Sequence, residues 1–432
     1  MIGTSDEYAV TGGVIFTGSE VLHDHALLVA GERVSGIVPH GEVPRGMACV
    51  EADGRLIMPG LVNAHHHAYS ALATGMPGKP AGDFRSVLEQ VWWRLDERLD
   101  AEAVLLSARW TALQCLQHGV TTVIDHHASY GVVRGALEVL RREFEGSGLS
   151  SAVSFEVSGR HGRELALAAL EENLGFERSA RTARLIGLHA GFTLDDEVLA
   201  AVQARVARGD GVHIHCAEDE IDTASAEGRL IERLERFGIV RENSLLVHGV
   251  HLSEGELTRV AGAGAAIVHC PESNMHNGVG AFDLVRAAGL GVRVVCGTDG
   301  LHSNMLRSYA AAYVLSRHTR RRADVGYAET RQMYEATQAL AGGMFADSNG
   351  RLEAGRRADI AVLAYRPHTP VTAENVWGHV LYGAAPGPVH MTISGGQVRY
   401  IDGTWPGCDA RRISAACAAA AVRLWEGMEV EA

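Results

Sequence analysis

GVHIHCAE at residues 211–218, SLLVHGV at 244–250, AAIVHCPES at 265–273 and VRVVCGTDG at 292–300 share one design, a short apolar run that ends on histidine or an acid. Four runs of the same kind precede them: LIMPGLVNAHHH (56–67), VTTVIDHH (120–127), SAVSFEVSG (151–159) and ARLIGLHAG (183–191). Runs this short, bounded by turn residues and rich in valine and isoleucine, read as buried strands. Amphipathic stretches such as AEAVLLSARWTALQCLQHG (101–119) and GALEVLRREFEG (135–146) lie between most of them and read as helices. Strand and helix signals in alternation specify βαβ units and a parallel sheet. Eight repeats favour closure into a (β/α)8 barrel over an open sheet.

Outward from this middle the style of the chain changes. YAVTGGVIFTG (8–18), HALLVAGERVSGIVP (25–39) and ACVEADGRLIMPG (48–60) alternate and turn like short strands, and LEAGRRADIAVLAYRP (352–367) and PVHMTISGGQVRYIDGTWPG (388–407) return to that pattern. Residues 1–58 and 352–408 are therefore assigned to one small β-sandwich assembled from both chain ends, around a barrel of residues 59–351. Residues 409–432 have helical periodicity and good helix formers, so the chain is expected to close with a surface helix.

Composition narrows the function. The 432 residues are 47% apolar and 21% charged, which describes a globular chain with a large core rather than a disordered one. Lys and Arg total 39 against 52 Asp and Glu, and the resulting −13 is spread without long runs of one sign. That balance argues against nucleic acid or an anionic membrane and for a small-molecule ligand. Seven cysteines (49, 115, 216, 270, 296, 408 and 417) form no C-x-x-C pair and read as reduced thiols. MIGTSDEYAV lacks the basic and apolar segments of a secretory signal, and no 18-residue apolar run occurs, so a cytoplasmic location is expected.

The polar residues at the run ends carry the chemistry, because catalytic groups in such barrels sit at the C-terminal ends of several strands. His65 and His67 bracket His66, and alternation along a strand points positions 65 and 67 the same way. Such an H-x-H pair gives two imidazoles to one ion, although alone it is a weak signal. His215 in HIHCAE and Asp299 in GTDG add the nitrogen and oxygen donors that complete a catalytic zinc-type set with a position left for water.

MPGLVNAHHH, the His215–Glu218 spacing, LLVHGVHL, VHCPESNM and GTDG, followed by GRLEAGRRADIAVL, resemble in that order the amidohydrolase superfamily. Within it the chain is similar to the branch of cytosine deaminases, guanine deaminases and chlorohydrolases, over nearly its whole length. VWWRLDERLD (91–100) and VIDHHAS (123–129) are part of the likeness and are not general superfamily motifs. The resemblance implies an imperfect TIM barrel with a small β-sandwich, and one divalent metal, zinc or alternatively iron, on His65, His67, His215 and Asp299. It implies that Glu218 shuttles protons and that His248 holds the hydrolytic water or the substrate. ARLIGLHAG offers no lysine for a carboxylated bridge, so a mononuclear site is expected. Asp299 would take a proton from the water, Glu218 would protonate a ring nitrogen, and His248 would stabilise negative charge.

That chemistry is a hydrolytic deamination of an amino-substituted N-heterocycle of purine, pyrimidine, pterin or triazine type. Hydrolytic dechlorination, or opening of a cyclic amide or imine, is the alternative, and a barrel without catalysis a third. The resemblance also implies a homo-oligomer, a dimer or larger. His189 matches a family position near the substrate, but its motif reads HAGFT with Gly191 in place of proline. Arg160 can meet an anionic or carbonyl-bearing substrate, or serve as a surface charge. Adjacent residues of a helix do not share a face, so one of Trp92 and Trp93 is expected to wall the pocket or a subunit interface and the other to pack in the core. Strand parity makes Asp125 and His127 the inward pair over His126. His302, just past Asp299, is a further substrate-contact candidate, and His269 and Asn274 are expected to build the seventh loop.

Overall fold

A computed structural model describes residues 6–78, 81–207, 209–348 and 350–429. Residues 1–5 and 430–432, included above in the sandwich and the closing helix, lie outside the described residues.

Each of the eight apolar runs contributes a strand to the barrel. These are β1 (Leu61–His66), β2 (Val120–His127), β3 (Ser150–Phe155), β4 (Ile186–Ala190), β5 (Val212–Cys216), β6 (Leu245–His248), β7 (Ala266–His269) and β8 (Arg293–Cys296). Neighbours pair in parallel within two arcs, β1-β2-β3 and β4 through β8, with the short strand Thr182–Arg184 on the free side of β3. Single parallel bridges, Val157 to Leu188 and His66 to Asp299, join the arcs. The barrel is therefore closed but imperfect. At the first seam Gly187 is required by close approach: a Cβ there would lie 2.4 Å from the carbonyl oxygen of Phe155.

Both faces of the barrel strands are covered, which is why the runs are continuously apolar rather than alternating. Ala64, Ile124, Ala152, Leu245, Val247, Ala266, Val268 and Val295 form one buried cluster. A larger cluster, including Val123, Val153, Ile214 and Leu246, takes in the surrounding helices. Full burial of each Val, Leu or Phe side chain there contributes roughly 1.5–3 kcal/mol. Capping fixes where the helices start. Asp100 accepts from the Ala103 amide at 2.8 Å to open Ala101–Gln117, and Ser253 and Glu256 form a capping box on Glu254–Ala263.

LIMPGLVNAHHH divides between two sheets. Leu56–Pro59 runs antiparallel to Ile360–Leu363, with Ile57 opposite Val362, and only from Leu61 does the chain enter the barrel. That pairing ties the chain ends into a six-stranded sheet, which faces a four-stranded sheet of Glu7–Thr11, His25–Ala30, Arg33–Pro39 and Ala48–Glu51. Val10, Ile15, Leu27, Ile57, Ile360, Val362 and Ile393 fill the space between them. The helix Ala410–Glu429 lies on Ala101–Gln117 through Cys417, Ala420, Ala421 and Leu424. All seven cysteines are unpaired, and no described helix is long and apolar enough to cross a membrane.

Candidate active site

The C-terminal ends of β1, β5, β6 and β8 bring His65, His67, His215, His248 and Asp299 together. His67 Nε2 is 3.0 Å from Asp299 Oδ1 and 3.1 Å from His215 Nε2, while His65 Nε2 is 3.4 Å from Asp299 Oδ1. The donor atoms of His65, His67 and Asp299 all lie within 4.8 Å of one another, as do those of His65, His215 and His248. Three non-glycine residues here adopt left-handed backbone: Ala217 (φ 51°), His248 (φ 75°) and Asp299 (φ 56°). Such strain of about 1–3 kcal/mol per residue collects where a side chain must be aimed.

The far nitrogens of the imidazoles are fixed. His67 Nδ1 donates to the His126 carbonyl at 2.6 Å and His215 Nδ1 to the His189 carbonyl at 2.9 Å. His65 Nδ1 lies 2.8 Å from His213 Nε2. This orientation directs the Nε2 lone pairs of His67 and His215 at the same point, and His65 Nε2 is buried without a hydrogen-bond partner. Converging lone pairs repel unless a positive charge lies between them. Burial depresses His65 and His215 well below the usual imidazole range, and burial acts the same way on His67. At His67 the adjacent Asp299 carboxylate overrides it and raises the pKa to about 9. Asp299, despite its own burial, is held well below the carboxylate range by His65 and His67. The nitrogen and oxygen donors gathered here suit a divalent metal.

Around that point sit the groups for proton transfer. Glu218 Oε1 accepts from Asn277 Nδ2 at 3.0 Å, and Oε2 is 3.3 Å from His248 Nε2. Burial, reinforced by the charge of Asp299, pushes the Glu218 carboxyl well above its usual range. His248 Nδ1 donates to Asn274 Oδ1 at 2.8 Å, which leaves Nε2 as an acceptor. Ser273 Oγ donates to Asp299 Oδ2 at 2.5 Å.

A cavity opens onto these groups, walled by Tyr69, Phe84, Leu88, Trp92, Trp93 and Phe192. Both tryptophans line it, against the expectation that only one could. Leu88–Trp92 is a π-helical turn, whose wider winding reduces the angle between successive side chains. His189 also lines the cavity, with Nδ1 2.8 Å from Thr193 Oγ1. Gly191, where the family motif has proline, leaves room for Asp222: a Cβ there would lie 2.7 Å from Asp222 Oδ1.

Other expected contacts fall elsewhere. His302 bonds Glu272 Oε2 at 2.7 Å, and His127 bonds Ser129 Oγ at 2.9 Å; neither is among the described residues lining the cavity. The parity expected for β2 is reversed. Ile124 belongs to the barrel's internal cluster, so His126 points inward with it, its ring 4.8 Å from that of His215, whereas Asp125 accepts from the Ala68 amide. Arg160 does not line the cavity; it lies between Asp96 and Glu156, which do. His269 packs on Phe282, and Asn274 orients His248.

Sequence reasoning missed His213, Ser273, Asn277, Asp96 and Glu156. The second H-x-H, His213-Ile214-His215, carried a signal for His213 through the same two-residue alternation that marked His65 and His67. The other four had no comparable pattern.

The amidohydrolase family model matches residues 56–399, and a model of the NagA composite domain matches residues 7–57. The chain belongs to the amidohydrolase family. This amidohydrolase is 30% identical over 404 residues to a 5-methylthioadenosine/S-adenosylhomocysteine deaminase of Pelotomaculum thermopropionicum, covering 88% of the chain and 89% of the relative. It is 29% identical over 455 residues to the enzyme of that name from Symbiobacterium thermophilum, covering 97% and 99%. Its fold matches an adenosine deaminase from Xanthomonas campestris with bound zinc, at a TM-score of 0.83 with 21% identity and 98% of each chain covered. The zinc complex of atrazine chlorohydrolase TrzN from Arthrobacter aurescens matches at 0.79 with 21% identity, covering 96% of this chain and all of the other. The amidohydrolase is accordingly an enzyme that hydrolyses carbon–nitrogen bonds other than peptide bonds.

Proposed function

We propose that this amidohydrolase removes ammonia from an amino-substituted nitrogen heterocycle, using one divalent metal, zinc, held by His65, His67, His215 and Asp299. The observation that carries this reading is geometric: beside the His65, His67, His215 and Asp299 cluster, Glu218 Oε2 and Asp299 Oδ2 lie 3.3 and 3.8 Å from His248 Nε2, with the Asp299 carboxyl depressed and the Glu218 carboxyl elevated. Two carboxyl groups driven apart in pKa are a base and an acid ready at one pH.

A divalent ion in this cluster supplies Lewis acidity and lowers the pKa of water from 15.7 towards about 7. Asp299 Oδ2, 3.8 Å from His248 Nε2, accepts a proton from the attacking water. Glu218, neutral through burial, gives its proton to the ring nitrogen next to the carbon under attack, so electron density moves onto that nitrogen as the C–O bond forms. His248 presents a lone pair at Nε2, so it accepts an O–H and orients the water; stabilising negative charge would require an N–H at that atom. Collapse of the tetrahedral carbon breaks the C–N bond: Asp299 returns the water proton to the amino nitrogen, which leaves as ammonia, and the hydroxyl proton passes to Glu218 as the C=O bond forms. The aromatic walls suit a flat heterocycle and exclude bulk water.

The purine names of the full-length relatives make adenine nucleosides the first substrates to try, and the unpaired thiols suit a reducing cytoplasm. The deciding experiment is ammonia release by the zinc-loaded enzyme from aminated purines, pyrimidines, pterins and triazines, with metal content measured on the same sample. Ammonia from one scaffold is the expected result. Chloride from chlorotriazines without ammonia from any amine would overturn the reading.

A further inference from the structure

We propose that Asp96 and Glu156 form a cation subsite in the wall of the catalytic cavity, which takes a second, positively charged nitrogen group of the substrate, an ammonium or amidinium. The inference rests on the reading of this cavity as the substrate's.

Asp96 comes from the helix Trp93–Arg98 that follows the π-turn, and Glu156 from the residue just past β3. Arg160 lies between them, with one terminal nitrogen 2.5 Å from Asp96 Oδ2 and 3.3 Å from Glu156 Oε1. Its guanidinium stacks near Trp93 and Tyr130, 5.2 and 4.7 Å from their ring centroids. The side chains of Arg160, Asp96 and Glu156 are only 8%, 2% and 4% exposed, so this is a buried cluster of two carboxylates and one guanidinium. One negative charge is left over, and an uncompensated buried charge costs several kcal/mol.

The surplus faces the cavity. Asp96 Oδ1 has no hydrogen-bond partner and Glu156 Oε1 has only the Arg160 ion pair at 3.3 Å, and both residues line the cavity while Arg160 does not. The remaining carboxylates of the wall are already engaged. Asp222 accepts from the amides of Phe192 and Ala217, Asp219 accepts from the amide of Ile221, and Glu218 and Asp299 belong to the proposed catalytic centre. No arginine or lysine is among the described residues lining the cavity. Burial, opposed by Arg160 and reinforced by Glu156, lifts Asp96 well above its usual range, so a proton fills the deficit when no other cation does. A substrate cation displaces that proton, donates N–H to Asp96 Oδ1, and meets the face of Trp93. The same wall disfavours a carboxylate, because its one guanidinium is ion-paired to the two acids and does not line the cavity.

Benzamidinium and benzamide have nearly the same shape and differ in charge, so they isolate the charge preference of the site. Calorimetric titration of the zinc-loaded full-length protein at neutral pH is expected to show benzamidinium binding at least about tenfold more tightly than benzamide. In Asp96→Asn and in Glu156→Gln that preference should shrink to about threefold or less. Equal binding of the two probes by the parent protein overturns the proposal, as does a preference that survives both substitutions. If Asp96→Asn fails to fold, Glu156→Gln carries the same comparison. Ammonia release by the parent enzyme without charge preference would remove the subsite and keep the deaminase. Charge preference through Asp96 without ammonia from any amine would do the reverse.

Discussion

Replacing Glu218 with glutamine separates proton transfer from every other contribution of that side chain. The amide has the shape of the acid. Its oxygen still accepts from Asn277 Nδ2, now 3.0 Å from Oε1, and its nitrogen takes the place of Oε2, 3.3 Å from His248 Nε2, where it becomes a donor to that lone pair. Glu218 is outside the proposed ligand set, so metal content should remain near that of the parent. What the variant lacks is a proton to give to the ring nitrogen and a base to recover one. A positioned general acid or base contributes about 10²–10⁴-fold, which is roughly 3–5 kcal/mol of barrier. The expected result is therefore a fall in kcat of at least about 100-fold in ammonia release, with an unchanged zinc-to-protein ratio. Thermal stability should hold or rise, since burial opposes ionisation of the acid it removes. A fall of less than about tenfold would refute the proton shuttle, and loss of zinc together with activity would make Glu218 a ligand instead.

Three further outcomes are expected. His213→Ala removes the group that fixes His65 Nδ1 at 2.8 Å and should weaken zinc about 10–100-fold in competition with a chelator; an unaltered affinity would show that His65 needs no support. Gly187→Ala places a Cβ 2.4 Å from the Phe155 carbonyl oxygen, so the β3–β4 seam must open, at a cost of about 1–3 kcal/mol in urea unfolding; no loss would mean that the seam is not tight. Burial lowers His118 to about 4, so the folded state holds fewer protons than the unfolded state. The stability contributed is then intact above pH 6.5 and drains as the pH falls towards 4, by roughly 3 kcal/mol in all. Unfolding of His118→Gln and the parent across pH 7.5–4.5 should show the parent losing that much more than the variant, and parallel curves would contradict the assignment.

What could be read in advance follows the physics of each element. Strands buried on both faces leave continuous apolar runs, and their polar ends mark the mouth of a barrel, so all eight strands were legible from local pattern, as was the proximity of His65, His67, His215 and Asp299 at their ends. The parity of β2 was misjudged because three polar residues in a row, Asp125-His126-His127, give no apolar reference; the reference was Ile124, one residue earlier. Trp92 and Trp93 were misjudged because a π-turn obeys no periodicity that residue type announces.

The substrate wall was hidden for a different reason. Asp96 and Glu156 are 60 positions apart, and in sequence each looks like a solvated acid, while Arg160 reads equally as a receptor for an anion or as a surface charge. Only packing shows that Arg160 is committed to both of them. The placement sets the character of the wall: the two acids that Arg160 joins line the cavity, and Arg160 itself does not. Catalytic groups that must share one point leave a spacing that can be read, whereas specificity formed by charges meeting across unrelated segments is decided by the balance of their burial.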